Sequence, residues 1–134
     1  MKDLIELLRQ HGILPTAQRL AVAKFVLFTD RHPTADEILS RVQPGCPTLS
    51  KATVYNTLNL LVERGLLKIQ NLREGALVFD ANTGQHHHFI DNQTGKIYDI
   101  PHEAVDIQSH ESLADFEITE FQVTLRGRLK KRNR

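Results

Sequence analysis

Cysteine is almost missing from this chain: Cys46 is the only one in 134 residues. An intrachain disulfide is therefore excluded, as is any zinc site built from thiolates alone. Long apolar runs are also missing. No stretch approaches the roughly 18 residues that a membrane helix requires. The opening Met1-Lys2-Asp3-Leu4-Ile5-Glu6 sets acids inside its apolar stretch, so it does not read as a secretion signal. No internal repeat and no low-complexity tract interrupts the chain. These absences lead to the expectation of a cytoplasmic protein with no membrane partner. The length allows one domain or two very small ones.

Acidic and basic residues are unevenly spread. Residues 1–79 hold ten basic and seven acidic side chains, whereas residues 80–125 hold one basic and nine acidic. Residues 126–134 hold six basic side chains and no acidic one. The mildly basic front half suits an anionic partner such as nucleic acid, and the acidic block suits a cation.

The first 65 residues read as helices. Leu4, Leu7 and Leu8 follow helical spacing up to a stop at Gly12. Thr16 can cap a second helix over about residues 17–28, and Thr34 with Glu37 forms a capping box for a third. After the loop Gln43-Pro44-Gly45-Cys46-Pro47, Ser50 caps a fourth helix that ends at Gly65. Beta-prone segments at 66–70 and 76–79 then flank a turn. Three helices followed by a fourth and a hairpin are the layout of a winged helix-turn-helix. On the fourth helix Val54, Leu58, Leu61 and Val62 form the apolar stripe, while Lys51, Tyr55 and Asn59 recur opposite it with Asn56 beside them. These side chains can contact phosphates and base edges. Lys68 and Arg73 on the hairpin and Arg19 on the second helix add candidate phosphate contacts. An amphipathic helix that merely meets water has the same pattern.

From Asp80 onward the pattern changes. Segments 86–90 and 96–100 flank the turn Asp91-Asn92-Gln93-Thr94-Gly95, a short helix is expected over about 102–113, and a final strand near 116–125. The expected organisation is 1–80, a hinge at 81–84, and 85–134. A sheet of two or three strands is marginal alone, so pairing with a second copy, a homodimer, is expected through this half.

The consecutive histidines His86, His87 and His88 fall in that half. In an extended segment His86 and His88 share a face and His87 takes the other. Asp99 returns to them across the hairpin, Asp80 lies at the junction, and His32 precedes the third helix. Three imidazoles and two carboxylates without sulfur suit iron(II), manganese(II) or zinc. Five ligands exceed the four typical of structural zinc, which favours iron(II) or manganese(II), with zinc able to bind in vitro. Cys46-Pro47 could ligate haem, but a lone cysteine in a Pro/Gly loop gives little reason to expect it.

The chain resembles the ferric uptake regulators. The resemblance is carried by Pro15-Thr16-Ala17-Gln18-Arg19, His32-Pro33-Thr34-Ala35-Asp36-Glu37, Ala52-Thr53-Val54-Tyr55-Asn56-Thr57-Leu58, Phe79-Asp80, His86-His87-His88 and Gly95-Lys96-Ile97-Tyr98-Asp99, in family order. It implies an α+β fold: an N-terminal winged helix-turn-helix followed by a small C-terminal α/β dimerisation domain. It also implies a regulatory metal at His32, Asp80, His86, His88 and Asp99. Aspartate at position 99 is similar to the peroxide-sensing branch, in which bound iron reacts with peroxide and oxidises a ligating histidine, here His32 or His86. The usual Cys-x-x-Cys pairs for structural zinc are replaced, with Asp91 and Thr94 at two of the positions. A second metal site of some members would use positions near His87, Asp106 and Phe121, and phenylalanine cannot ligate. The missing zinc cysteines, the triple histidine, Asp99-Ile100-Pro101 and the basic tail resemble the haem-responsive iron response regulators.

The reading from sequence is a metal-dependent transcriptional regulator that represses a double-stranded DNA operator and senses peroxide. The alternative is a haem- or iron-responsive regulator. A metallohydrolase is the distant alternative, and it lacks a nucleophile motif or phosphate loop. A metal-binding dimer without DNA activity is the other rival.

Overall fold

The computed structural model describes residues 2–73 and 75–130, apart from the side chain of Arg73. The chain divides into two compact units, Met1–Thr83 and Gly84–Arg134. The first unit contains helices α1 (Lys2–Gln10), α2 (Ala17–Val26), α3 (Ala35–Val42) and α4 (Lys51–Glu63), then strands β1 (Lys68–Arg73) and β2 (Ala76–Asp80).

The helix starts follow from local hydrogen bonding. Thr16 accepts from the Arg19 amide at 3.2 Å, and Ser50 accepts from that of Thr53 at 3.2 Å. At α3 the box is reciprocal: the Thr34 amide donates to Glu37 Oε1 at 3.1 Å and the Glu37 amide donates to Thr34 Oγ1 at 3.2 Å. Each cap satisfies donors that a helix start leaves unpaired. Gly12, at φ 72°, turns the chain out of α1, and a Cβ there would meet Arg64 Nη1 at 2.5 Å. That guanidinium donates to the His11 carbonyl at 3.2 Å.

Leu8, Val22, Val26, Ile38, Val54, Leu58 and Leu61 are fully buried where the four helices meet. Each such side chain contributes about 1.5–3 kcal/mol by leaving water. The β1–β2 hairpin is antiparallel, with Ile69 opposite Phe79 and Gln70 opposite Val78, and a bulge between Gln70 and Arg73. The Phe79 amide donates to the Pro33 carbonyl at 2.9 Å, so the end of the wing is tied to the loop ahead of α3.

The second unit is a three-stranded sheet in the order β4 (Ile97–Pro101), β3 (His86–Asp91), β5 (Thr124–Gly127). β3 and β4 form the expected antiparallel hairpin, with His88 opposite Asp99. β5 runs parallel to β3, with His88 opposite Thr124.

Two expectations are corrected here. Residues 102–113 do not form a helix: 3-10 turns occupy His102–Ala104 and Glu111–Leu113, with irregular chain between. Nearly every side chain from 103 to 120 is exposed, so a helix there would have no packed face, and a short helix without one is marginal. The strand expected near 116–125 is only Thr124–Gly127. Phe116, Ile118 and Phe121 stay exposed, because backbone pairing to β3 begins only around Val123. No helix among the described residues is long and apolar enough to cross a membrane.

Candidate metal centre and nucleic-acid interface

The candidate ligands form one group in each unit. In the first unit, the tie between Phe79 and Pro33 holds the adjacent residues together. His32 Nε2 lies 3.3 Å from Asp80 Oδ2, and both side chains are buried. Asp80 also accepts from the Asn82 amide at 2.9 Å, which orients its carboxylate.

In the second unit, the two-residue period of β3 puts His86 and His88 on one face and the hairpin register brings Asp99 opposite. The Nε2 atoms of His86 and His88 are 3.1 Å apart, and each lies 3.6 Å from Asp99 Oδ1. Both imidazoles are buried, while the Asp99 side chain is 38% exposed. Neighbouring donors on an ion with bonds of about 2.1 Å lie roughly 3.0–3.4 Å apart. The histidine pair has that spacing, and Asp99 is exposed enough to close the remaining few tenths of an ångström. His86 Nδ1 lies 2.7 Å from the Gly84 carbonyl, which can only accept, so Nδ1 carries the proton and Nε2 presents a lone pair. The donor chemistry therefore fits a divalent cation. Nitrogen and carboxylate donors suit manganese(II), iron(II) or zinc.

Gln122 is a site residue that sequence reasoning missed. Its amide lies 3.0 Å from His88 Nδ1, 34 positions away in the chain. That amide presents its nitrogen Nε2, which donates to His88 Nδ1; turned about its last torsion it presents Oε1, which accepts from Nδ1–H and leaves His88 Nε2 free to ligate, as a partner on the far nitrogen commonly does at metal-bound histidines. The sequence signal for it is nil, since Gln122 precedes a strand whose parallel pairing was not expected.

His87, which strand alternation puts on the opposite face of β3, is fully buried there. Its Nδ1 accepts from the Val123 amide at 2.9 Å, and its ring stacks on His102 and Phe121 at centroid distances of 5.1 and 5.6 Å. At position 91, where a zinc thiolate would stand, the buried Asp91 closes the turn by accepting from the amides of Gln93 at 2.8 Å and Thr94 at 3.4 Å.

Of the candidate DNA contacts, Lys51, Tyr55, Asn56 and Asn59 share the exposed face of α4. Lys51 Nζ lies 3.3 Å from Asp36 and 5.9 Å from the Tyr55 ring centre. The ion pair is solvent-exposed and so weak enough to exchange for a phosphate. Arg19 donates to the Leu14 carbonyl at 3.1 Å. Lys68 lies half-buried on β1, and the Arg73 side chain lies outside the described residues, as do residues 131–134 of the basic tail.

A helical unit with a two-stranded wing, joined to a small sheet bearing imidazole and carboxylate donors, defines the class of metal-responsive winged-helix regulators. Comparison with known proteins narrows the class. The model of the Ferric uptake regulator family matches residues 10–126. The peroxide-responsive repressor PerR of Staphylococcus saprophyticus is 35% identical over 129 residues, which covers 95% of this chain and 87% of that protein. The crystal structure of the Vibrio cholerae ferric uptake regulator superposes with a TM-score of 0.74 at 22% identity, over 93% of this chain and 98% of that one. A manganese-containing ferric uptake regulator from Pseudomonas aeruginosa gives 0.69 at 25% identity, over 94% and 97%.

The chain belongs to the ferric uptake regulator family. It is a metal-responsive transcriptional regulator and not an enzyme. Regulators of this family bind DNA and are dimeric, and solved relatives carry manganese, iron or zinc.

Proposed function

We propose that this protein is a peroxide-sensing repressor that binds its operator as a homodimer when iron(II) or manganese(II) is held by His32, Asp80, His86, His88 and Asp99. Residues 1–80 would contact DNA through Arg19, Lys51, Tyr55, Asn56, Asn59, Lys68 and Arg73, residues 81–84 act as a hinge, and residues 85–134 dimerise. The observation that carries the reading is the assembled His86–His88–Asp99 cluster, with imidazole nitrogens 3.1 Å apart. Aspartate as the carboxylate at position 99, and a relative that is a peroxide-responsive repressor, support the peroxide branch.

The physical mechanism is linkage. His32 and Asp80 belong to one unit and His86, His88 and Asp99 to the other. A single ion bound by all five residues restricts the pose of one unit against the other. A pose that spaces two recognition helices one DNA turn apart couples metal and operator binding. Iron(II), when bound, would activate peroxide beside the imidazoles, and the two electrons that reduce the peroxide come from the imidazole C–H that is oxidised. The net change is insertion of one peroxide oxygen into an imidazole C–H of His32 or His86, with water as the other product. The oxidised ring is a poorer ligand, so metal and then DNA are released.

Two measurements test this reading. A gel shift with and without manganese should show metal-dependent binding. Intact and peptide mass spectrometry after a peroxide pulse on the iron-loaded protein should show one added oxygen on His32 or His86. Unmodified histidines in a protein that still loses DNA would favour the haem-responsive alternative.

A further inference from the structure

The basic C-terminal segment has no part in the metal cycle. It begins on β5 with Arg126, and Arg128 and Lys130 follow at two-residue intervals. The sequence continues the alternation at Arg132 and Arg134, with Lys131 as a sixth cation and no acid from 126 to 134. Residues two apart in extended chain are separated by about 6.5 Å. Arg128, Leu129 and Lys130 line a concavity of about 640 Å³ with Gln93 from the β3–β4 turn.

The nine acidic residues between Asp80 and Glu120 are the obvious intramolecular counterions. Yet no carboxylate lies within 4.0 Å of Arg128 or Lys130 among the described residues, and both side chains are exposed. Cations held off their own acidic unit suit an external polyanion. Duplex DNA carries one negative charge per about 1.7 Å of its axis, and neutralising its phosphates releases counterions.

We infer that Arg128 and Lys130, with Gln93 beside them, form a second phosphate-binding element that grips the DNA backbone irrespective of sequence. This element adds to the winged helix a grip outside the helix-turn-helix, and the inference rests on the DNA-binding reading above. Its role is affinity and on-rate rather than operator choice.

The test is a salt titration of binding to a mixed-sequence duplex of about 40 bp in constant manganese. Arg128→Gln/Lys130→Gln should weaken binding several-fold and flatten the plot of log affinity against log salt by about 0.9 for each phosphate that is no longer neutralised. Arg128→Lys, which keeps the charge, should retain the parental slope. Parental slope in the double variant overturns the inference. So does a lower melting temperature of the double variant at low salt with DNA affinity unchanged, which would mean that the cations serve their own acidic segment. If the parent itself binds no duplex in manganese, the underlying DNA reading fails, and this inference with it.

Discussion

At the scale of single residues, the chemistry of the candidate centre depends on hydrogen bonds at the far nitrogen of each imidazole. His86 Nδ1 is held by a carbonyl at 2.7 Å and His88 Nδ1 faces the Gln122 amide at 3.0 Å. Partners of this kind are typically worth about 10–100-fold in metal affinity. Gln122→Leu should therefore weaken manganese binding by about that factor in a calorimetric titration, and Gln122→Glu, an obligate acceptor, should restore it. Equal affinity of Gln122→Leu and parent would leave Gln122 as packing alone. The ligand types and the pairing of His86 with His88 and Asp99 were legible in the sequence, because strand periodicity and a short hairpin act over few residues. Gln122 was not, because its contact depends on a β3–β5 alignment set by the path of residues 102–123. The stack of His87, His102 and Phe121 was illegible for the same reason.

At the scale of elements, α4 serves two purposes on two faces. Leu58 is fully buried in the helical core, while Tyr55 is 41% exposed on the opposite side. Leu58→Ala should cost about 2–5 kcal/mol in urea unfolding, the usual range for emptying a packed leucine site. Tyr55→Ala should change stability by less than about 0.5 kcal/mol and yet weaken DNA binding, since it alters a surface side chain without opening a cavity. If Tyr55→Ala left DNA affinity at the parental value, this face of α4 would not be the reading surface. Helix starts were legible at Thr16, Thr34 and Ser50 because a cap is a local hydrogen bond. The 102–113 segment misled because a short stretch of mixed helix propensity without a surface to pack on does not hold a helix.

At the scale of the whole molecule, the central prediction is coupling between two units. His32→Ala should leave the dimer folded while reducing metal-dependent operator affinity about 5–150-fold, a coupling of roughly 1–3 kcal/mol. Identical operator affinity of mutant and parent in saturating manganese would remove the linkage mechanism. The sequence by itself determined the helix starts, the wing, the β3–β4 hairpin and the donor types. Each is encoded within a dozen or so neighbouring residues, by caps, periodicities and turns. Only the tertiary structure decided that β5 runs parallel beside β3, that His32 meets Asp80 through the tie from Phe79 to Pro33, that His87 is buried, and that Gln122 reaches His88. Those pairings join residues tens of positions apart, and the free energy that selects among them comes from burial and hydrogen bonding summed over a packed unit, which no local pattern carries.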